Sequence, residues 1–321
     1  MMKPIFYWAA IALSVSCAKK TSEKRETRKD SVTLQSTDVQ QESPVMQFPY
    51  DLSHPSDKFK LPDELREISG IDVYKKHKLV CEEDENGKVF IYDAKKGDLK
   101  ETVKFARHGD YEGIANVNDT IYVLRSDGVL FQVTGFETAD QATQEFPTFL
   151  NKENNTEGLC FDSANHRLLI ACKGDPGNNL SGVRAVYAFD LKSMKLQKNP
   201  VYIIHLDELK ADLAKVDKSK LINEETRNLL DPEKGDVTFQ PSEIAIHPIT
   251  DEICLISTVG KLMVVMNRAG KILHIESLDP AIFKQPEGLC FLPNGDMYIS
   301  DEGREGKANI LLFKYMPEEK K

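Results

Sequence analysis

Short apolar runs separated by turn residues follow one another along most of the chain. In the first unit of this pattern the runs cover residues 68–74, 78–82, 89–93 and 99–105. The runs are nearly continuous in apolar residues and alternate little, which is typical of β-strands packed between two neighbouring sheets. The pattern therefore predicts an all-β chain built from units of four short strands.

A phrase that begins with glutamate recurs at the start of each unit. Its glutamates are Glu67, Glu112, Glu157, Glu243 and Glu287. The intervals between them are 45, 45, 86 and 44 residues, and a period of about 45 residues is the size of one blade of a β-propeller. Because the phrase occurs five times, we expect a five-bladed β-propeller over residues 48–316.

The interval of 86 residues leaves two alternatives, because it holds either two blades or one blade with an insertion. Leu206, Leu209 and Leu213 have helical spacing, and no β-rich run interrupts residues 206–230. We therefore expect one helical insertion over residues 206–235, with a six-bladed propeller as the alternative. The insertion is interpreted as a lid or partner-docking helix or, equally, as a tolerated surface insertion.

The last unit offers only three strands before a charged tail at residues 317–321. Its outer strand is therefore missing. Residues 48–61, which precede the first repeat, can supply that strand, and pairing the two ends of the chain would remove two open sheet edges. We expect the ring to close in this way.

The first seventeen residues have the pattern of a secretory signal. Lys3 precedes an apolar run at residues 5–15, which is too short to span a bilayer. The following Ser16 and Cys17 resemble a lipobox, in which the cysteine is lipidated after cleavage, although Ser14 stands where the motif usually has leucine. We interpret residues 1–17 as a lipoprotein signal peptide that ends at lipidated Cys17, with an ordinary signal peptide as the alternative.

Residues 18–47 are rich in Ser, Thr, Lys, Glu and Gln and hold few large apolar side chains. Such a segment cannot bury enough apolar surface to offset the entropy of ordering it, so we expect a disordered tether. The residues directly after Cys17 are basic rather than acidic. These features predict a protein of the cell envelope that a lipid anchor holds at a membrane, facing the periplasm rather than the cell surface.

Charge and cysteine content narrow the partners further. The net charge of −9 and the absence of a cluster of Lys and Arg argue against nucleic-acid binding. Beyond Cys17 the cysteines stand at positions 81, 160, 172, 254 and 290. An odd number of cysteines within apolar runs favours buried free thiols over a disulfide framework.

Several motifs in this order resemble the SdiA-regulated (YjiK-like) family of propellers, over about residues 48–316. They are the run at residues 61–71, the Glu-Gly-Ile and Glu-Gly-Leu phrases, the stretch at residues 171–177 and the unit at residues 285–289. The resemblance implies a five-bladed propeller, distantly similar to NHL-repeat proteins. It also implies frequent tethering as a lipoprotein, a calcium site and no established activity.

The repeated glutamates are the main candidate site. The innermost strand of each propeller blade lines the central channel, so a residue repeated at its start comes close to the axis. Converging carboxylates must bind a cation, pair with bases or take up protons. Ca²⁺ fits best because it prefers about six to eight oxygen ligands, whereas no histidine recurs there for zinc or copper. The alternative is that these glutamates only satisfy turns or backbone N–H groups.

A second ring is expected 13 to 16 residues after the glutamates, at the ends of the second strands. It consists of Glu83, Arg125, Lys173, Thr258 and Glu302. Arg125 and Lys173 could neutralise part of the first ring, which is the strongest rival to a bound metal. The alternative for this ring is a set of solvated turns.

Two classes of function follow from this reading. The sequence contains no GxSxG motif that would support nucleophilic catalysis. The favoured function is therefore a non-catalytic module that binds Ca²⁺. Its partner would be an envelope protein, a glycan or a small anionic ligand bridged by the metal. The alternative is a metal-dependent hydrolase acting on phosphoesters or lactones. The protein is expected to be a monomer.

Overall fold

The computed structural model describes residues 48–215, 238–304 and 306–317. They form five antiparallel sheets, and the first strand of each sheet contacts the first strand of the next until the ring closes. The predicted five-bladed propeller is therefore confirmed, and six blades are excluded. The predicted signal peptide, the lipidation of Cys17, the tether and the end of the charged tail lie outside the described residues.

The first strand of the chain, β1 (Asp57–Lys60), belongs to the last blade and is followed by a 3-10 turn at Asp63–Leu65. Blade 1 consists of β2 (Ile68–Lys75), β3 (Lys78–Glu83), β4 (Lys88–Asp93) and β5 (Asp98–Lys104). Blade 2 consists of β6 (Tyr111–Val117), β7 (Thr120–Arg125), β8 (Leu130–Thr134) and β9 (Ala142–Phe146). The four strands predicted for the first unit match blade 1 to within about one residue at each end.

Blade 3 consists of β10 (Thr156–Asp162), β11 (Arg167–Cys172), β12 (Val183–Asp190) and the two short outer strands β13 (Lys195–Leu196) and β14 (Tyr202–His205). Blade 4 consists of β15 (Glu243–Ile246), β16 (Ile253–Ser257), β17 (Leu262–Met266) and β18 (Ile272–Ser277). Blade 5 consists of β19 (Pro286–Phe291), β20 (Met297–Asp301), β21 (Asn309–Phe313) and β1.

Closure of the ring joins the two ends of the propeller. β1 pairs antiparallel with β21, with Lys60 opposite Asn309 and Asp57 opposite Leu312. The segment before the first repeat therefore supplies the missing outer strand, as predicted. The pairing covers the edge that β21 would otherwise leave open.

The apolar core is divided into five clusters, and each lies between two neighbouring blades. Between blades 1 and 2, for example, Val80 and Ile91 pack against Ile114 and Val123, and all four are fully buried. Both faces of most strands are covered in this way, which explains why the apolar runs barely alternate. Each such side chain contributes about 1.5–3 kcal/mol on burial.

The predicted helical insertion begins as a helix, α1 (Leu206–Leu213), directly after β14. Leu209 and Leu213 are buried in the cluster between blades 3 and 4, so the described part of the insertion is attached to the core. The remainder of the predicted insertion, from residue 216 to 235, lies outside the described residues. None of the helices in the described parts of the chain is long and apolar enough to cross a membrane.

The cysteines of the described residues are free thiols within the blades. Four are buried, and Cys160 is half-buried. Burial raises the pKa of Cys81, Cys160 and Cys290 well above the usual value for a thiol, so these groups stay protonated at neutral pH and act as small apolar side chains.

Candidate functional site

The register of the innermost strands decides which residues form a ring at the channel. Gly113 pairs with Leu124, Gly158 with Ala171 and Gly288 with Ser300, at the same place in three blades. The residue before each glycine is Glu112, Glu157 or Glu287. We call these three the axial carboxylates.

In blade 1 the ring position belongs to Ser69, because Gly70 is the glycine that matches Gly113. A Cβ added to Gly70 would lie 2.8 Å from the backbone N of Ile114 and 3.0 Å from Cα of Gly113. This close approach of neighbouring backbones explains why glycine is needed there. Glu67 lies two residues earlier, outside β2 and exposed.

Glu67 instead belongs to an outer circle of polar residues. Its carbonyl oxygen accepts a hydrogen bond from the N–H of Asp84. At the same place in the next two blades, the N–H of Ser126 donates to the carbonyl oxygen of Asp110, and the N–H of Lys173 donates to that of Asn155. The expectation that Glu67 shares one position with the other glutamates is therefore corrected. Glu67 precedes Gly70 by three residues, as Asp110 precedes Gly113, so Glu67 matches Asp110 rather than Glu112.

Glu243 is also displaced from the ring, in the opposite direction. A Cβ on Gly158 would lie 2.8 Å from the N of Ile244, so Ile244 matches Ile114 and Glu243 stands where the other blades have glycine. Ser242 then takes the ring position in blade 4. The channel entrance therefore carries three glutamates and two serines at this level, rather than five glutamates.

Glu243 is fully buried one residue deeper along the axis. Its Oε1 accepts hydrogen bonds from the N–H groups of Ile244 at 2.9 Å and Leu159 at 2.8 Å, whereas its buried Oε2 has no partner among the described residues. Burial raises its pKa well above the usual range, and the carboxylates of Glu82 and Asp72 raise it further. Burial therefore favours the protonated form of this carboxyl group.

The axial carboxylates lie close enough to affect one another. Burial raises the pKa of Glu112 to about 10, and repulsion from Glu157 and Glu82 adds to this effect. Burial likewise raises the pKa of Glu287 to about 8, with a further contribution from Glu157. No hydrogen bond joins the carboxyl group of Glu112 to another described residue. The entrance thus holds carboxyl groups that lack sufficient compensating charge.

Among the residues that the structure describes, Lys173 is the cation that reaches the axial carboxylates. Its Nζ donates to Oε2 of Glu157 at 2.7 Å, while Asn155 donates to Oε1 of the same carboxylate at 2.9 Å. Burial lowers the pKa of Lys173, but the carboxylates of Glu157, Glu287 and Glu112 outweigh it, so the pKa is raised overall. One ammonium therefore faces three carboxyl groups.

Arg125 does not reach the axial carboxylates. Its guanidinium binds both oxygens of Asp127, at 2.9 and 3.0 Å, and lies over the ring of Phe131. Of the two bases expected to neutralise the ring, only Lys173 contacts it.

The remaining members of the expected second ring occupy three different environments. Glu83 accepts hydrogen bonds from the backbone N–H groups of Glu85 and Asn86 and so closes a turn. Thr258 donates to the carbonyl oxygen of Pro286 in the next blade. Glu302 lies beside the channel entrance, where its carboxylate accepts from the side chain of Gln285.

Strand pairing also shows that Glu83 and Arg125 are one residue too early to match Lys173. The matching residues are Asp84 and Ser126, by the backbone hydrogen bonds of the outer circle. Asp84 follows Glu83 directly at the end of the predicted second strand and takes this position in blade 1. Burial raises its pKa to about 7, and Glu67 contributes next.

Two further acidic residues lie near the axis, and of these Asp110 was not predicted from the sequence. Asp110 accepts from the hydroxyl of Ser126 at 2.5 Å and raises the pKa of Glu112. Glu82 is fully buried, with Oε1 accepting from the N–H of Gly70 at 2.6 Å and Oε2 without a partner among the described residues. A glutamate in the otherwise apolar run of β3 was the available signal for Glu82.

The arrangement is suited to attract a cation to the channel entrance. The three axial carboxylates outnumber the single ammonium group of Lys173, and burial strengthens each electrostatic interaction among them. Over the described residues, however, no three His, Cys, Asp or Glu side chains already stand in the geometry of a metal site. A cation would therefore have to displace Lys173 or protons from these carboxyl groups.

Comparison with solved structures gives propellers at low identity. A glutaminyl cyclase from Myxococcus xanthus is 11% identical, with a TM-score of 0.50 and coverage of 83% of this chain and 97% of the other. A luciferin-regenerating enzyme is 10% identical, with a TM-score of 0.47 and coverage of 81% and 95%. A streptogramin B lyase is 10% identical, with a TM-score of 0.45 and coverage of 80% and 97%. These likenesses show the fold alone.

No curated protein sequence matches the chain. The family model named SdiA-regulated matches residues 64–304, from the 3-10 turn before blade 1 to the turn after β20. This span includes the axial carboxylates and all but the closing strands of the ring. The chain therefore belongs to the SdiA-regulated family.

Proposed function

We propose that this propeller is a non-catalytic binding module whose axial carboxylates bind Ca²⁺. The observation that carries the proposal is the convergence of Glu112, Glu157 and Glu287 around a single ammonium, that of Lys173. Three carboxylates against one ammonium leave two negative charges when all are ionised, which matches the charge of one divalent ion. Burial raises the pKa of Glu112 and of Glu287, and repulsion from Glu157 adds to both shifts.

The donor chemistry supports a hard cation. Carboxylate oxygens are ligands that Ca²⁺ accepts in loose geometry, and Ser69 and Ser242 stand at the same level of the channel. The pair of Lys173 with Glu157 is the internal competitor that an ion must overcome. Movement of the lysine would release Oε2 of Glu157 as a further ligand.

The site opens beside loops that can contact a partner. We propose that the module is tethered in the cell envelope through lipidated Cys17 and faces the periplasm. An envelope protein, a glycan or an anionic ligand bridged by the ion would then bind at the channel entrance. The signal-peptide pattern and the polar segment at residues 18–47 support this part of the proposal.

Calorimetric titration of the full chain with CaCl₂ tests the ion site. The native protein is expected to bind one ion saturably, with ligand-linked thermal stabilisation. Glu112→Gln combined with Glu287→Gln is expected to weaken binding at least about tenfold, since each substitution removes an anionic ligand. Asp140→Asn, at an exposed turn of blade 2, is the control that removes a carboxylate elsewhere and should leave binding unchanged.

Absence of saturable binding, or equal binding by the double variant, would contradict the proposed site. Hydrolysis of phosphoesters or lactones by the Ca²⁺-loaded protein, lost in the double variant, would establish the alternative of a metal-dependent hydrolase.

A further inference from the structure

A separate cavity of about 550 Å³ lies at the closing blade, within the usual size of small-molecule sites. We call it the closure pocket. Its lining includes the basic residues Lys58, Lys60, Lys284, Arg304 and Lys307, together with the amide residue Asn309.

Strand pairing explains why these residues meet. In β1, Lys58 and Lys60 are two positions apart and so point to the same face of the sheet, and Lys60 lies opposite Asn309 of β21. Lys284 comes from the loop before β19, and Arg304 comes from the turn between β20 and β21. The pocket therefore exists only because the two ends of the propeller are joined.

The pocket is positively charged in a chain of net charge −9. Its described lining holds five Lys or Arg residues and two carboxylates, Asp301 and Glu302. Asp301 accepts hydrogen bonds from the backbone N–H groups of Lys284 and Gln285, and Glu302 accepts from the Gln285 side chain. The carboxylates are thus engaged by amide groups.

The basic side chains have few partners. Lys307 lies 3.8 Å from Asp63, and both are well exposed, so this pair contributes little. Lys58, Lys60 and Lys284 form no salt bridge with any described residue. Three lysines are therefore available to an anion in the pocket.

Asn309 adds an uncharged acceptor to the pocket wall. The residue is only 5% exposed, and its Nδ2 lies 3.4 Å from Asp301. Its Oδ1 is buried and has no hydrogen-bond partner among the described residues. A buried acceptor without a partner is costly, and a hydroxyl of a bound ligand would satisfy it.

We propose that the closure pocket binds a small anionic ligand that carries hydroxyl groups beside its acidic group, as a phosphorylated or carboxylated sugar does. The acidic group lies among Lys58, Lys60 and Lys284, and a hydroxyl donates to Oδ1 of Asn309. This site does not depend on the proposed Ca²⁺ site, because its charge has the opposite sign and its lining includes none of the axial carboxylates.

Calorimetric titration of the full chain with glucose 6-phosphate and with glucuronate tests this site. Buffers are freed of metal with a chelating resin, so that failure of Ca²⁺ binding cannot affect the result. Saturable binding of at least one of the two acids is expected, with no binding of glucose. Lys60→Gln with Lys284→Gln is expected to weaken binding about tenfold through loss of charge-assisted contacts.

Lys192→Gln with Lys195→Gln is the matched control, because it removes two exposed lysines from blade 3. This control should bind like the native protein. Binding of neither acid, equal binding of glucose, or equal weakening by both double variants would overturn the proposal.

Asn309→Ala tests the hydroxyl contact separately. It is expected to weaken binding of the sugar acid about tenfold and to leave binding of inorganic phosphate unchanged. Equal loss for both probes, or no loss for either, would overturn the role of Asn309. The lysine variants test the pocket even if this substitution impairs folding, since Lys60 and Lys284 are exposed.

Discussion

At the scale of single residues, the most unusual groups are the buried carboxyls of Glu82 and Glu243. Each accepts backbone N–H groups through Oε1 and leaves Oε2 buried without a partner among the described residues. Burial raises the pKa of both well above the usual value of 4.5. Burial therefore favours the neutral acid form of both residues.

Glu243→Gln is expected to stabilise the protein by about 1–3 kcal/mol at pH 8, measured by thermal unfolding in metal-free buffer. Gln keeps the two hydrogen bonds through Oε1 and cannot ionise. Below pH 4.5 the native carboxyl is protonated in both states, so the native protein and the variant should then be equally stable.

The pH dependence has a definite sign. A raised pKa in the folded state means that the unfolded chain loses its proton first, so the stability of the native protein falls as the pH rises above 4.5 toward the folded pKa. A variant that destabilises the protein equally at both pH values would contradict this account. Glu153→Gln, at an exposed turn, serves as the control.

The sequence predicted Glu112, Glu157 and Glu287 at the channel because the phrase that each begins recurs at the start of the innermost strand. Glu67 and Glu243 were assigned to the same position because they begin the same recurring phrase, at intervals of 45, 45, 86 and 44 residues. The displacements of one or two residues arise because serine holds the ring position in blades 1 and 4, with Glu67 two residues before Ser69 and Glu243 one residue after Ser242. Periodicity does not resolve displacements of this size.

At the scale of elements, the segment before β1 is attached to two blades. The hydroxyl of Tyr50 donates to the carbonyl oxygen of Gly295 in blade 5 at 2.6 Å. Nε2 of His247 in blade 4 lies 2.7 Å from the hydroxyl oxygen of Tyr50. Burial lowers the pKa of His247 to about 4, so this ring is neutral at pH 7. The cluster fixes the strand that closes the ring.

Tyr50→Phe is expected to lower the free energy of unfolding by about 1–3 kcal/mol, because it leaves a buried carbonyl and an imidazole without their partner. Denaturant unfolding measures the change. Tyr315→Phe is the matched control, since its ring contacts the rings of Tyr50 and His247 but its hydroxyl has no hydrogen bond within the described residues. Equal effects of the two substitutions would contradict the role of the Tyr50 hydroxyl.

The sequence predicted the closing strand but not this attachment. Counting three strands in the last unit was sufficient to place the fourth at residues 48–61. The contact between Tyr50 and His247 spans 197 positions of the chain. Neither residue belongs to the repeat, so nothing in the pattern indicates that they meet.

At the scale of the whole molecule, charges are separated between two sites near one face. The channel entrance collects carboxyl groups around Lys173, whereas the closure pocket collects lysines. Glu302 lies beside both sites. It lines the closure pocket, and the charges of Glu67 and Lys173 near the channel entrance both affect its pKa. The repeated glutamates predicted an acidic entrance, but nothing in the sequence pattern indicated the basic pocket, which forms only when the chain ends pair.

The most direct test of the central claim is the number of protons released when Ca²⁺ binds at pH 7. With pKa values of about 10 at Glu112 and about 8 at Glu287, both groups hold protons that the ion must displace. Binding heats measured in two buffers of different ionisation enthalpy give that number. The account predicts release of about one to two protons per ion, reduced by about one in Glu112→Gln. Equal heats in both buffers would contradict binding at the axial carboxylates.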